Sequence, residues 1–175
     1  MRRLGGLVLA LAVAAAGAVG LLLVLAPRDR PPVANQGGPG QAYADLGARH
    51  LRPGERRAVA FNSDPPTSGP HLPLPIRRDA QPISDDQLLQ ALERGDVVIF
   101  YPTTHVPAPL RSIQRGISGR TSSALAAAGQ SVILAPRRGL HGIVAVAWRH
   151  LLRTGNANDP RLRGFAEFWL GRGHH

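Results

Sequence analysis

Residues Leu4 to Ala26 form 23 consecutive positions without a charged or strongly polar side chain. At about 1.5 Å per residue a helix of that length reaches ~35 Å, enough for a hydrocarbon core of ~30 Å. The sequence therefore predicts a transmembrane helix over 4–26, with a cytoplasmic tail of residues 1–3 ahead of it. Arg2 and Arg3 favour a cytoplasmic N-terminus, while Arg28 and Arg30 beyond the run weaken the charge asymmetry. The shortness of the tail decides the orientation. The remaining 149 residues are expected on the extracytoplasmic side of the cell membrane, held by a single-pass signal anchor. A cleaved signal peptide is the alternative, because Ala14-Ala15-Ala16 and Ala16-Gly17-Ala18 both offer small-x-small spacing. The apolar run continues eight residues past Ala18, which favours an anchor that stays uncut.

From Pro27 to Ala48 the composition turns to Pro, Gly, Gln, Asn and Asp, and apolar periodicity disappears. Such a stretch buries too little apolar area to offset its ordering entropy, so 27–48 reads as a linker. A globular domain is then expected over 49–175. Its first part, His50 to Pro82, is Pro-rich and reads as ordered irregular structure with a short extended piece at Ala58–Phe61. Ser84 and Gln87 have capping-box spacing, Leu88, Leu89 and Leu92 share one side of a helix, and Gly95 ends it. Val97–Tyr101 and Ser131–Ala135 are apolar runs of strand length, each followed by Pro, and such runs are buried on both faces. Between them, Pro107–Ala128 carries two short helical stretches broken near Gly116–Gly119. Gly142–Trp148 is a third apolar run, open between strand and helix. Asp159-Pro160 supplies a cap and a first-turn proline for a helix whose Leu162, Phe165, Ala166 and Trp169 repeat at i, i+3, i+4, i+7. The fold class expected is α+β: a small mixed sheet flanked by helices, with a thioredoxin-like arrangement as one candidate.

The most distinctive stretch is Asn62-Ser63-Asp64-Pro65-Pro66-Thr67-Ser68-Gly69-Pro70-His71. Pro65, Pro66 and Pro70 fix φ and push the residues before them toward extended geometry. Thr67 and Ser68 can bond nearby amides, and Gly69 permits a turn a side chain would forbid. The result is a stiff loop presenting His71 in a fixed direction, which suits a ligand or a catalytic group.

These residues carry a resemblance. The chain resembles the bacterial membrane-anchored proteins classed as domain of unknown function 3105, over about Arg49 to Arg172. The likeness begins with His50 and Pro53-Gly54-Glu55 and is strongest in Ser63–His71. It continues through Leu92-Glu93-Arg94-Gly95, the strand VVIFY, APRRGL, the AWRHLL segment and the closing FWLGRG. Members usually carry two histidines in a pattern like VHxLEHG. Here those positions are Gln90 and Arg94, so the resemblance implies that whatever the pair does elsewhere is weakened in this chain. Two histidines at i and i+4 would share a helix face and could hold a metal together. Arg94, by contrast, is a cation that repels one. His50 and His71 remain as candidate metal ligands, with His105, His141, Asp64 or Glu93 as helpers. His174 and His175 form a terminal pair able to chelate adventitiously.

Composition narrows the remaining classes. With no Cys, disulfides, thiol nucleophiles and Cys-ligated metals are excluded. Every one of the 21 basic residues is Arg, and beside the Ala, Gly and Pro excess this reads as compositional bias. The net charge of +10 is discounted accordingly. Between Val97 and Asn158 there are seven Arg and no acid, so Arg111, Arg115, Arg120, Arg137 and Arg138 form a candidate anion-binding face for lipid headgroups or envelope polymers. Nucleic acid is not expected, because no aromatic interleaving accompanies the arginines. No P-loop, G-x-G-x-x-G or G-x-S-x-G occurs, which leaves Ser68 with His71 as a weakly supported hydrolase pair. The sequence thus favours a non-enzymatic binding or scaffold module whose protein or envelope partner is unknown. A divalent metal is the one cofactor its histidines admit, and an inert, structural His71 is favoured over it.

Overall fold

The computed structural model describes residues 37–174. The expected span over 4–26 lies outside them. No helix among the described residues is long and apolar enough to cross a membrane.

Ser84 caps helix α1 (Asp85–Arg94): its hydroxyl accepts from the Gln87 amide and the Gln87 side chain accepts from the Ser84 amide. Gly95, at φ +107, closes that helix in the left-handed conformation that only glycine adopts without strain. Strand β2 (Val97–Tyr101) follows directly, buried at every position. Two short helices, α2 (Ala108–Ile117) and α3 (Ser123–Ala127), lead to β3 (Val132–Pro136), which pairs parallel to β2. Strand β4 (Ile143–Ala147) lies antiparallel on the other side of β2 and returns through a tight turn as β5 (His150–Thr154). Helix α4 (Pro160–Trp169) ends the fold, with Asp159 as its cap. A two-residue strand, β1 (Gln41–Ala42), covers the outer edge of β5. The result is an α+β fold around a five-stranded mixed sheet of order β1-β5-β4-β2-β3.

Alternation along the strands sends side chains to two cores. Val97, Ile99 and Tyr101 meet Leu110 and Ile113 of α2 with Leu162, Phe165 and Trp169 of α4. Val98 and Phe100 meet Leu88 and Leu92 of α1 and Ala126 of α3 on the opposite face.

Three expectations need correction. The linker assigned to 27–48 holds for none of its described part, because residues 37–48 are docked on the domain. Trp169 donates its indole N–H to the Pro39 carbonyl (2.9 Å), and the Tyr43 amide donates to the Arg149 carbonyl (2.8 Å). Hydrogen bonds to the domain, with Tyr43 and Ala48 packed against the second core, supply the ordering that composition did not suggest. Ala58–Phe61 forms no strand and is irregular. The strand β5 was not expected at all: Arg149, the second turn residue, takes φ +62 without the Gly or Asn that marks such turns.

Candidate metal centre

The proline loop is fastened to the segment that precedes it. Its Asp64–Pro65 peptide is cis, and Thr67, Ser68 and His71 have no exposed surface. Ser68 Oγ accepts from the Leu46 amide (3.0 Å) and donates to the Ala44 carbonyl (3.4 Å). The Gly69 amide donates to the Gly47 carbonyl (2.8 Å), and the Thr67 carbonyl accepts from the Arg149 amide (2.9 Å). Farther along, the His71 amide donates to the Arg49 carbonyl (3.1 Å) and the Leu51 amide to the His71 carbonyl (2.8 Å). These two bonds make a parallel bridge between His50 and His71. The two imidazoles therefore stand side by side, with ring centroids 5.2 Å apart and planes at 76°.

The Pro53-Gly54-Glu55 turn steadies His50 from the other direction. Glu55 accepts from the Arg52 amide (2.9 Å) and from the Arg49 guanidinium (2.7 Å), and these bonds hold its carboxyl below the ordinary glutamate range.

Glu93, in the last turn of α1, brings the third group. Its Oε2 lies 2.9 Å from His50 Nε2 and 3.3 Å from His71 Nε2, and it accepts from Gln90 Nε2 at 3.0 Å. The ligand atoms of His50, His71 and Glu93 all fall within 4.8 Å of one another. The C-terminal residues lock the helix end that carries Glu93. The Gly171 amide donates to the Gly95 carbonyl, and the His174 amide to the Glu93 carbonyl, each at 2.8 Å. A Cβ on Gly173 would lie 2.0 Å from the Glu93 carbonyl oxygen, so only glycine lets the tail approach this closely.

The electrostatics of the cluster are unbalanced. His71 Nδ1 donates to the Gly69 carbonyl (2.9 Å), which fixes the proton on that nitrogen. Its Nε2 lies 3.3 Å from the Glu93 carboxylate, and this buried nitrogen has no hydrogen-bond partner among the described residues, so in the neutral imidazole it presents a lone pair there. Two acceptors facing each other in a buried site require a cation between them, either a proton or a metal. A metal-bound imidazole characteristically gives its other N–H to a carbonyl, which is the arrangement here. The donor set also fits in size. Zinc bonds of ~2.0–2.1 Å place tetrahedral ligands roughly 3.3 Å apart, close to the separations on Glu93.

The other residues singled out by the sequence are elsewhere. His105 and His141 are exposed, His105 bonding the Thr104 hydroxyl. Asp64 pairs with Arg137 (2.7 Å). Ser68 has its hydroxyl engaged on both sides, so it is not a free nucleophile for His71. Of the five arginines, Arg111 is paired with Asp79 (2.5 Å) and Arg137 with Asp64 and Asp85. Only Arg115, Arg120 and Arg138 stay exposed without a hydrogen-bond partner among the described residues. The structure does not assemble the five into one unpaired cationic face. Arg94 is exposed and outside the three-residue cluster, whereas Gln90, its partner in the replaced pair, touches Glu93. His174 is docked through its backbone, and its ring meets Trp148 edge-on at 5.2 Å.

A family model described as "Protein of unknown function (DUF3105)" matches residues 53–174. The chain belongs to the DUF3105 family. That match contains the proline loop, His71, Glu93 and the C-terminal glycines, and it begins three residues after His50. No curated protein and no solved structure matches this DUF3105 chain.

Proposed function

We propose that this DUF3105 protein is a membrane-anchored, extracytoplasmic domain that binds a borderline divalent cation, zinc first, through His50, His71 and Glu93. The observation that carries the reading is the buried His71 Nε2, aimed at the Glu93 carboxylate without a hydrogen-bond partner while Nδ1 is committed to the Gly69 carbonyl. Imidazole and carboxylate ligands without any thiolate favour zinc over cuprous ion. Three protein ligands leave a fourth position for water or a partner's side chain, and the half-exposed His50 marks the side on which it opens. We read the centre as a binding site; the Ser68 hydroxyl, engaged on both sides, adds no nucleophile to it. The apolar run over 4–26 supports the anchor, and Arg2 and Arg3 ahead of it support the extracytoplasmic orientation of the domain. The β5-β4-β2-β3 order, a parallel βαβ unit beside an antiparallel hairpin, supports a thioredoxin-like arrangement, which without cysteine carries no dithiol chemistry.

The test is zinc titration of the full-length chain, prepared without an added tag, against a competing chelator. One equivalent should bind, and His71→Ala should weaken it by about a hundredfold or more. Replacing both His174 and His175 by Ala should leave it in place. Binding that follows the terminal pair, or that survives His71→Ala unchanged, would overturn the reading.

A further inference from the structure

Gln90 faces the metal centre with its amide nitrogen, but its carbonyl oxygen looks elsewhere. That oxygen is buried without a hydrogen-bond partner, and so is Asp96 Oδ2. Gln90 and Asp96 are 4 % and 1 % exposed. Both line one cavity of about 190 Å³. Asp96 Oδ1 is occupied by the Ser131 amide (2.8 Å), so the carboxylate meets the cavity with its second oxygen free. Burial raises its pKa to about 7, and the neighbouring Arg94 opposes that rise. Three further residues complete the polar lining: Arg77, Arg94 and Ser123, all exposed, which places them at the mouth. Neither guanidinium has a hydrogen-bonded or ion-paired partner among the described residues. Ile76, Ala91 and Ala126 form an apolar wall between the two ends.

The cavity is therefore polarised: two orphan acceptors at its floor, two unpaired cations at its rim, aliphatic surface between. Water would satisfy the floor but would leave the rim unexplained. A simple anion would suit the rim and be repelled by Asp96. A simple amine would suit the floor and be repelled by the arginines. One molecule carrying both groups a few bonds apart satisfies every member. We propose that this cavity binds a small zwitterion, its ammonium seated on Gln90 Oε1 and Asp96 Oδ2 and its acid group held by Arg77 and Arg94. Free amino acids and phosphoethanolamine, the headgroup of a lipid, both have that chemistry and that size. The site shares only Gln90 with the metal centre and needs no metal.

Calorimetric titration of the full-length chain, in detergent and stripped with chelator, decides it. The probes are L-alanine and phosphoethanolamine, with acetate and ethylamine as half-ligands. At least one zwitterion should bind saturably, about tenfold or more tighter than either half-ligand. Arg94→Gln and Asp96→Asn, the latter keeping an acceptor for the Ser131 amide, should each weaken it about tenfold, at unchanged far-UV circular dichroism. His71→Ala should leave zwitterion binding intact while abolishing zinc binding, so the two sites fail separately. Tighter binding of phosphoethanolamine would identify a lipid-derived ligand, and tighter binding of alanine a free amino acid. Absence of saturable zwitterion binding, half-ligands binding equally well, or indifference to both cavity variants would overturn the proposal.

Discussion

The two halves of the described domain are held together by different physics. From Ser84 onward, capped helices and continuous apolar strands bury Val, Leu, Ile and Phe in two cores on either face of one sheet. From Gly37 to Ile83 there is one strand of two residues, and apart from Ile76 and the partly buried Tyr43, Ala48 and Ile83, which pack against the second core, cohesion comes largely from hydrogen bonds between side chains or isolated amides and the backbone. The candidate metal centre lies on the seam: His50 and His71 come from the irregular half, Glu93 from the last turn of α1. Directional bonds can aim an imidazole where apolar packing cannot. The comparison teaches that stability and site geometry reside in separate parts of the chain and should respond to different substitutions.

The sharpest break is expected in the sheet half. Phe100→Ala, at a site with no exposed surface, should cost about 3–5 kcal/mol, read as a fall in the urea midpoint. A loss under 1 kcal/mol would mean that this core does not carry the fold. Next comes Asp96, a polar group in the apolar half. Its folded pKa, pushed up to about 7, exceeds the unfolded value of 3.8. The folded state thus holds the proton more tightly, and stability should fall as pH rises from about 4 through about 7. Asp96→Asn should flatten that dependence and be more stable than wild type at pH 8 by about 2–4 kcal/mol, as measured by urea unfolding at several pH values. A parallel pH dependence in the variant would refute the assignment.

Ser68→Ala should show the converse in the irregular half. It strands the Leu46 amide, costs about 1–2 kcal/mol and weakens zinc binding without changing the helical circular dichroism. Equal zinc affinity in this variant would show that the loop does not aim His71. The smallest effect expected is a gain. Gln90 already reaches within 3.0 Å of Glu93 Oε2, so Gln90→His should add an imidazole and tighten zinc by about tenfold, ~1.4 kcal/mol. Weaker binding would mean that Gln90 serves better as a donor steadying the carboxylate.

The same division governs what could be read from residues alone. Ser84 with Gln87, VVIFY and Asp159-Pro160 each act within a few positions, so the elements they define are legible locally. Residues 37–48 could not be recognised as part of the domain, because their partners, Arg149, Ser68, Gly69 and Trp169, lie 22 to over 100 positions away. Strand β5 was hidden by Arg149, His150 and Arg153, which interrupt its apolar pair Leu151-Leu152. His50 and His71 were visible as candidates, and Glu93 only as one helper among four. Its place depends on the last turn of α1, closed by Gly95, meeting the bridge between the two histidines, a contact across 22 and 43 positions that no local pattern encodes. The tail's role was invisible for a similar reason: Gly173 matters through a backbone it touches 80 positions earlier.

Arg149 is one of the places where the two halves are stitched: its carbonyl receives the Tyr43 amide and its own amide reaches the Thr67 carbonyl. Beyond it, the bonds at Leu46, Gly47, Arg49 and Leu51 follow one another along the chain. Tension applied to the chain ahead of Gly37 would load these bonds one after another, as in peeling tape, while the strands of the sheet shared their load in parallel. Peeling is the weaker geometry. A pull from that end would strip this segment and, at its last bonds, part the two imidazoles while the sheet still stood, so a cation held between them would be released by force before the core unravelled.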